Sequence, residues 1–157
     1  MVTYEELYER AKNELSEKRF KHTLGVVDRA IEYAEIYNVK VEDAKIAAIL
    51  HDIAKEYSDE KSYEILKKYG YELDDVEKGN HKLLHGKVGA MIAKYEYGLS
   101  DEITDAISFH TTGRANMTTL EKIIYLADAT EKRKNLSGTW EWANFGRNGK
   151  SYKRKSW

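Results

Sequence analysis

The sequence predicts an all-α protein, a compact bundle of six or seven helices. Three observations carry that expectation. Glu, Lys, Ala, Leu and Ile dominate the first four-fifths of the 157 residues, and there is no proline. Apolar residues recur at helical spacing along most of the chain, with no convincing strand alternation. Thr3, Ser16, Ser58, Ser100 and Thr118 stand where helix N-caps are expected. A hydrophobic content of 41% in a chain of this length suits one domain with a real core.

Thr3 and Glu6 form a capping box that opens a first helix, running to about Leu15. Ser16 caps a second, in which Phe20, Leu24, Val27, Ile31 and Ala34 line one face and Val26, Ala30 and Tyr33 another. Asn38 breaks the pattern before a third helix, expected from Val41 to about Lys55. Ala47, Ala48, Ile49, Leu50 and Ile53 make that helix apolar nearly all round, and therefore buried. Ser58 opens a more amphipathic helix with Tyr63, Ile65, Leu66 and Tyr69, closed by Gly70. Residues 70–80 show no period and read as loop. His81 and His85 begin the next helix, which carries Gly86, Gly89, Ala90 and Ala93 and ends at Gly98. Ser100 caps a helix striped by Ile103, Ala106, Ile107 and His110, broken at Thr111-Thr112-Gly113-Arg114. Thr118 and Glu121 form a second capping box before Leu120, Ile123, Ile124, Leu126 and Ala127. The domain is expected to span residues 1–138. Residues 139–157 read as an atypical tail, with all three tryptophans and five basic residues between Arg147 and Lys155.

Composition excludes several functions. A net charge of −1 argues against a general nucleic-acid binder. The charged start, MVTYEELYER, does not suit a signal peptide, and no apolar run reaches membrane-spanning length. With no cysteine there is no disulfide, thiolate-zinc site or thiol nucleophile. A cytoplasmic protein is the default expectation.

His51 and Asp52 are adjacent within the most apolar run of the chain. Burying a carboxylate costs several kcal/mol unless it is paired or bound to a metal, on the order of the penalty for any lone buried ion. A hydrogen-bonded core pair would satisfy that single dipeptide. His22, His85 and His110 also fall on or at the end of predicted helices, and Asp128 lies in another apolar run. Six such groups, each needing its own buried partner, are more simply satisfied together by metal. Imidazoles and carboxylates without thiolate suit iron, manganese, zinc or nickel better than calcium. The ligand count fits two ions sharing a bridging Asp52. His81 has no assigned role.

The ordered set His22, His51-Asp52, His85, His110, Asp128 resembles the HD-domain metal-dependent phosphohydrolases. Its surroundings are similar to one branch: Arg19-Phe20-Lys21-His22, His51-Asp52-Ile53-Ala54-Lys55, Leu84-His85-Gly86, His110-Thr111-Thr112-Gly113-Arg114 and Tyr125-Leu126-Ala127-Asp128. These resemble the bacterial YqeK family, symmetrical dinucleoside tetraphosphate hydrolases. After Asp128 the chain departs from the family's Tyr-Ile-Glu-Pro run and the arginine that follows it, keeping only Glu131 and a basic group in Ala129-Thr130-Glu131-Lys132-Arg133-Lys134. The resemblance implies an all-helical fold, a di-iron centre and cleavage of diadenosine tetraphosphate to two ADP. Phosphoryl transfer needs positioning and charge neutralisation more than covalent chemistry. Asp52 and Lys55 are the expected catalytic residues, with Lys55 acting as a point charge on phosphate. Arg19, Thr111, Gly113, Arg114 and Arg133 are the expected substrate contacts, the small-residue turn at 111–113 offering backbone amides to an anion. A nucleotide substrate is expected, without nucleic acid or membrane, and assembly as a homodimer stays open. Hydrolysis of a nucleoside triphosphate, monophosphate or alarmone, or nucleotide binding without turnover, remain alternatives.

Overall fold

The computed structural model describes residues 1–137, and side chains through Glu131; the expected tail and the side chain of Arg133 lie outside the described residues. Seven α-helices are present in this span: α1 (Tyr4–Glu14), α2 (Glu17–Ile36), α3 (Val41–Leu50), α4 (Asp59–Lys68), α5 (His81–Met91), α6 (Asp101–Ser108) and α7 (Thr119–Ser137). A five-residue π-helical segment, Ile92–Glu96, continues α5. No strand occurs among the described residues, and none of their helices is long and apolar enough to cross a membrane.

Most boundaries follow the local signals. Thr3 and Glu6 close a complete capping box on α1, and Thr118 and Glu121 exchange the same pair of hydrogen bonds at α7. The hydroxyls of Ser16, Ser58 and Ser100 accept from the third helical amide of α2, α4 and α6. Asn38 closes α2 with a φ of 60°, and the Val39 amide reaches back to the Ala34 carbonyl.

Helix α3 departs from expectation. It ends at Leu50, and residues 51–56 form a chain of tight turns. Successive i→i+3 bonds mark it: His51 to Ala48, Ile53 to Leu50, Lys55 to Asp52 and Tyr57 to Ala54. The cause is a competition at one carbonyl. In a continuing α-helix the Ala48 oxygen would take the Asp52 amide. Here it receives the His51 amide at 3.3 Å and the His51 Nδ1 at 2.6 Å instead. The exit of the turn is tied down from α1 and α2: the Ser16 amide donates to Glu56 at 2.8 Å, and the Tyr57 hydroxyl donates to Glu14.

Helix α2 packs along α3 and α7, while α5 packs between α4 and α6. Ile49, Leu50, Leu84, Val88, Ile107, Leu120 and Ile124 fill the interior they share. Helices α5 and α6 approach closely because Gly86 has no side chain. A Cβ there would lie 2.8 Å from the Ser108 carbonyl oxygen, a backbone atom that cannot swing away. Gly86→Ala should therefore cost about 1–3 kcal/mol, the range for overpacking a filled interior, read as a lower urea midpoint with an unchanged slope. An unchanged midpoint would contradict this contact.

Candidate metal centre

Five elements each bring polar groups to the middle of the bundle. His22 comes from the second turn of α2, His51 and Asp52 from the tight turn after α3, and His85 from α5. His110 lies in the turn after α6, two residues beyond its last helical residue, and Asp128 comes from α7. All six are buried. The turn geometry matters because neighbouring residues of a regular helix diverge by roughly 100°. Leaving the helix lets adjacent His51 and Asp52 serve one cluster, their Nε2 and Oδ2 atoms 3.3 Å apart.

The six groups fall into two sets that share Asp52. Around its Oδ2 atom lie His22 Nε2 at 3.8 Å and His51 Nε2 at 3.3 Å. Asp128 Oδ1 completes this set, 2.9 Å from His22 Nε2 and 3.4 Å from His51 Nε2. Around Asp52 Oδ1 lie His85 Nε2 at 3.2 Å and His110 Nε2 at 3.4 Å, these two nitrogens being 3.1 Å apart. Within each set the donor atoms lie within 4.8 Å of one another, a spacing able to hold a metal ion.

The hydrogen bonds behind the rings point the same way. His51 and His110 face backbone carbonyls through Nδ1, of Ala48 at 2.6 Å and of Ile107 at 2.7 Å. A ring that donates from Nδ1 keeps, when neutral, an Nε2 lone pair directed into the cluster, the usual arrangement of metal-ligating histidines. His51 Nε2 and His85 Nδ1 are buried without a hydrogen-bond partner. Six oxygen and nitrogen donors with no thiolate, two of them carboxylates, fit a divalent cation. These residues fit the group.

Charge is distributed unevenly over the six. Burial disfavours the His51 imidazolium, but Asp52 and Asp128 outweigh it and lift His51 to about 10. Burial opposes ionisation of Asp52 too, yet His51, His110 and His85 hold it well below the usual carboxylate range. Asp128 is likewise held low, against its burial, by His22 and His51. His85 is pushed down by burial, Lys55 and His110 adding to that and Asp52 opposing it.

The expected substrate contacts divide. Arg19 joins the cluster, its guanidinium 3.1 Å from Asp52 Oδ2. Lys55 lies near enough for its charge to depress His85. The Lys55 backbone is pinned by His81, whose Nε2 is 2.7 Å from the Lys55 carbonyl and whose Nδ1 is 3.2 Å from Asp59; this gives the histidine without a motif a supporting place. Arg114 is engaged elsewhere. It forms a two-pronged pair with Glu121 at 2.7 and 3.0 Å, approaches Asp105 at 3.3 Å and stacks over Phe109. The expectation of anion-facing amides at 111–113 fails at Gly113, whose N–H donates to the Phe109 carbonyl at 2.9 Å, closing the turn after α6. Thr111 is half-buried beside His110. Glu131, buried on α7 one turn beyond Asp128, is a carboxylate to which the helical stripe assigned no role. Its signal was present, as an acid three residues from a ligand.

Asp52 and Asp128 favour the protonated form of His51 in the ion-free protein. A cation must displace that proton, so affinity should rise with pH. Calorimetry of divalent-ion binding at pH 7, in buffers of different ionisation enthalpy, should report release of about one proton per chain. No buffer dependence would mean that ion binding displaces no proton from His51.

Comparison with known proteins places this geometry. A family model described as HD domain matches residues 19–133. The chain is 41% identical, over 82% of its length, to the symmetrical bis(5′-nucleosyl)-tetraphosphatase of Staphylococcus aureus, covering 66% of it. It is 42% identical, over 83% of its length, to the protein so named in Bacillus subtilis, covering 70% of it. The chain thus spans about two thirds of the length of these relatives. A crystal structure from Clostridium acetobutylicum, described as a predicted HD superfamily hydrolase involved in NAD metabolism, matches with a TM-score of 0.85. It is 44% identical, and the match covers 94% of this chain and 79% of that one. With its histidines and aspartates gathered as described, the chain belongs to the HD-domain family, and within it to the family of symmetrical bis(5′-nucleosyl)-tetraphosphatases.

Proposed function

We propose that this chain is a divalent-metal-dependent phosphohydrolase that cleaves dinucleoside tetraphosphates symmetrically, giving two nucleoside diphosphates. The observation that carries the reading is the pair of ligand sets joined through Asp52, with Arg19 and Lys55 beside them. His22, His51, Asp52 and Asp128 would hold one ion and Asp52, His85 and His110 a second; the family resemblance favours iron, and manganese or another divalent ion also suits a thiolate-free site. Such a pair supplies charge neutralisation for phosphoryl oxygens and an acidified water. Residues 1–138 form the functional unit in this reading, acting in the cytoplasm, and no chemistry is assigned to the tail.

The chain's own groups do the remaining work. Asp52, held ionised by its histidines, fixes the spacing between the two halves of the centre. Arg19 covers the Oδ2 edge of Asp52 and offers its remaining N–H groups to a phosphate approaching from the more exposed side. Lys55 brings a point charge to the His85 side, its backbone fixed by His81 and Asp59. In the reaction a water oxygen bonds to the second phosphorus from one nucleoside. The bond from that phosphorus to the oxygen it shares with the third breaks, the departing nucleoside diphosphate takes the electron pair on that oxygen, and the water gives up its proton to solvent. Lys55 offsets the charge that grows on that leaving oxygen. Arg114, committed to Glu121, contributes by holding the turn that carries His110 rather than by reaching substrate.

With diadenosine tetraphosphate, ADP should be the sole nucleotide product, and one of the two ADP molecules should carry heavy oxygen from labelled water on its outer phosphate. Lys55→Ala should lower kcat by about a hundredfold, a typical loss for one transition-state charge contact, with metal content unchanged. AMP plus ATP as products would overturn the proposed reaction even with every ligand correct.

A further inference from the structure

Glu131 is 8% exposed and makes no hydrogen bond or ion pair with the described residues. Its carboxylate oxygens keep a narrow contact with solvent, so the acid is largely enclosed yet open to a ligand from one side. The chain makes room for it deliberately. A Cβ at Gly25 would lie 2.3–2.6 Å from Cδ, Oε1 and Oε2 of Glu131, so only glycine allows the carboxylate to rest where it does. Gly25 follows His22 by one turn of α2, and Glu131 follows Asp128 by one turn of α7. The Gly25–Glu131 contact therefore repeats the His22–Asp128 contact about 4.5 Å further along the helices, the rise of three residues. It forms an extension of the metal centre that the metal chemistry leaves unused.

We infer that Glu131 receives the ribose of the nucleoside half bound at the His22–Asp128 end of the centre. This rests on the proposed nucleotide substrate. A second acid beside Asp128 repels phosphate, whereas Arg19 and Lys55 attract it on the Asp52 side. What fits Glu131 is a neutral group rich in donors, and the vicinal hydroxyls of a ribose can give one hydrogen bond to each carboxylate oxygen, as acidic residues do in nucleotide sites generally. Attraction at one end and exclusion at the other fix the register of the polyphosphate, and hence which P–O bond is cut.

The test is calorimetric binding of ADP and of 2′,3′-dideoxy-ADP to metal-loaded protein, with metal content and melting temperature recorded for each variant. The native chain should prefer ADP by about tenfold or more, the worth of hydrogen bonds to a charged group. Glu131→Ala should abolish the preference without lowering the melting temperature, since it removes an acid with no partner among the described residues. Gly25→Ala, which leaves the glutamate in place but pushes its carboxylate aside, should abolish it too. The inference is overturned if the native chain binds both nucleotides equally or binds neither. It is equally overturned if either variant weakens both by the same factor, or if Glu131→Ala lowers the melting temperature while the preference persists. Diadenosine tetraphosphate turnover separates the two readings. A diol preference without symmetrical cleavage sinks the proposed function alone, and symmetrical cleavage without the preference sinks the ribose assignment alone.

Discussion

A single buried carboxylate, Asp52, holds the centre of this molecule together. Its two oxygens face different partners: Oδ2 looks to His22, His51 and Arg19, Oδ1 to His85 and His110. Those partners come from α2, α5, the end of α6 and the turn after α3. The packing of the bundle is therefore also the assembly of the site. An acid this deeply buried is tolerable only because each oxygen meets cationic or donor groups, and leaving it without them would cost several kcal/mol, on the order of the penalty for breaking a buried pair.

Two features of the backbone follow from that constraint. The tight turn at 51–56 exists because His51 takes the Ala48 carbonyl that α3 would need in order to continue. The reward is that His51 and Asp52 face one cluster. Gly86 then lets α5 come against α6 closely enough for His85 and His110 to meet at 3.1 Å. Further out, Arg10 links Glu14 of α1 with Glu96 and Tyr97 beyond α5, while Glu14 also receives Tyr57. The exit of the His51-Asp52 turn and the end of the π-helical segment are thus fastened to the same arginine.

Much of this was legible in residue order. The capping boxes at Thr3 and Thr118 and the serine caps are local chemistry, decided within four residues, and they placed the helix starts. The six polar groups stood out because the two aspartates lie in apolar runs and the four histidines fall on or at the end of helices. What could not be read depends on contacts distant in sequence or on competition for one atom. The early end of α3 turns on which group wins the Ala48 carbonyl. The π-helical segment after α5 has no sequence mark that composition or period exposes. Arg114 looked available for phosphate because it ends the His110-Thr111-Thr112-Gly113-Arg114 run; in the structure it pairs with Glu121, which also caps α7. Gly113 looked like an anion nest, but its amide closes the turn after α6. Glu131 gained a reading only once Gly25 was seen beneath it.

The central claim is that Asp52 divides one metal centre into two halves. Anomalous diffraction from metal-loaded crystals, recorded on both sides of the absorption edge of the ion, tests it most directly. Two peaks are expected, one among His22, His51, Asp128 and Asp52 Oδ2, the other among His85, His110 and Asp52 Oδ1. A single peak that leaves one of these sets empty, or two peaks with Asp52 touching only one of them, would contradict the account.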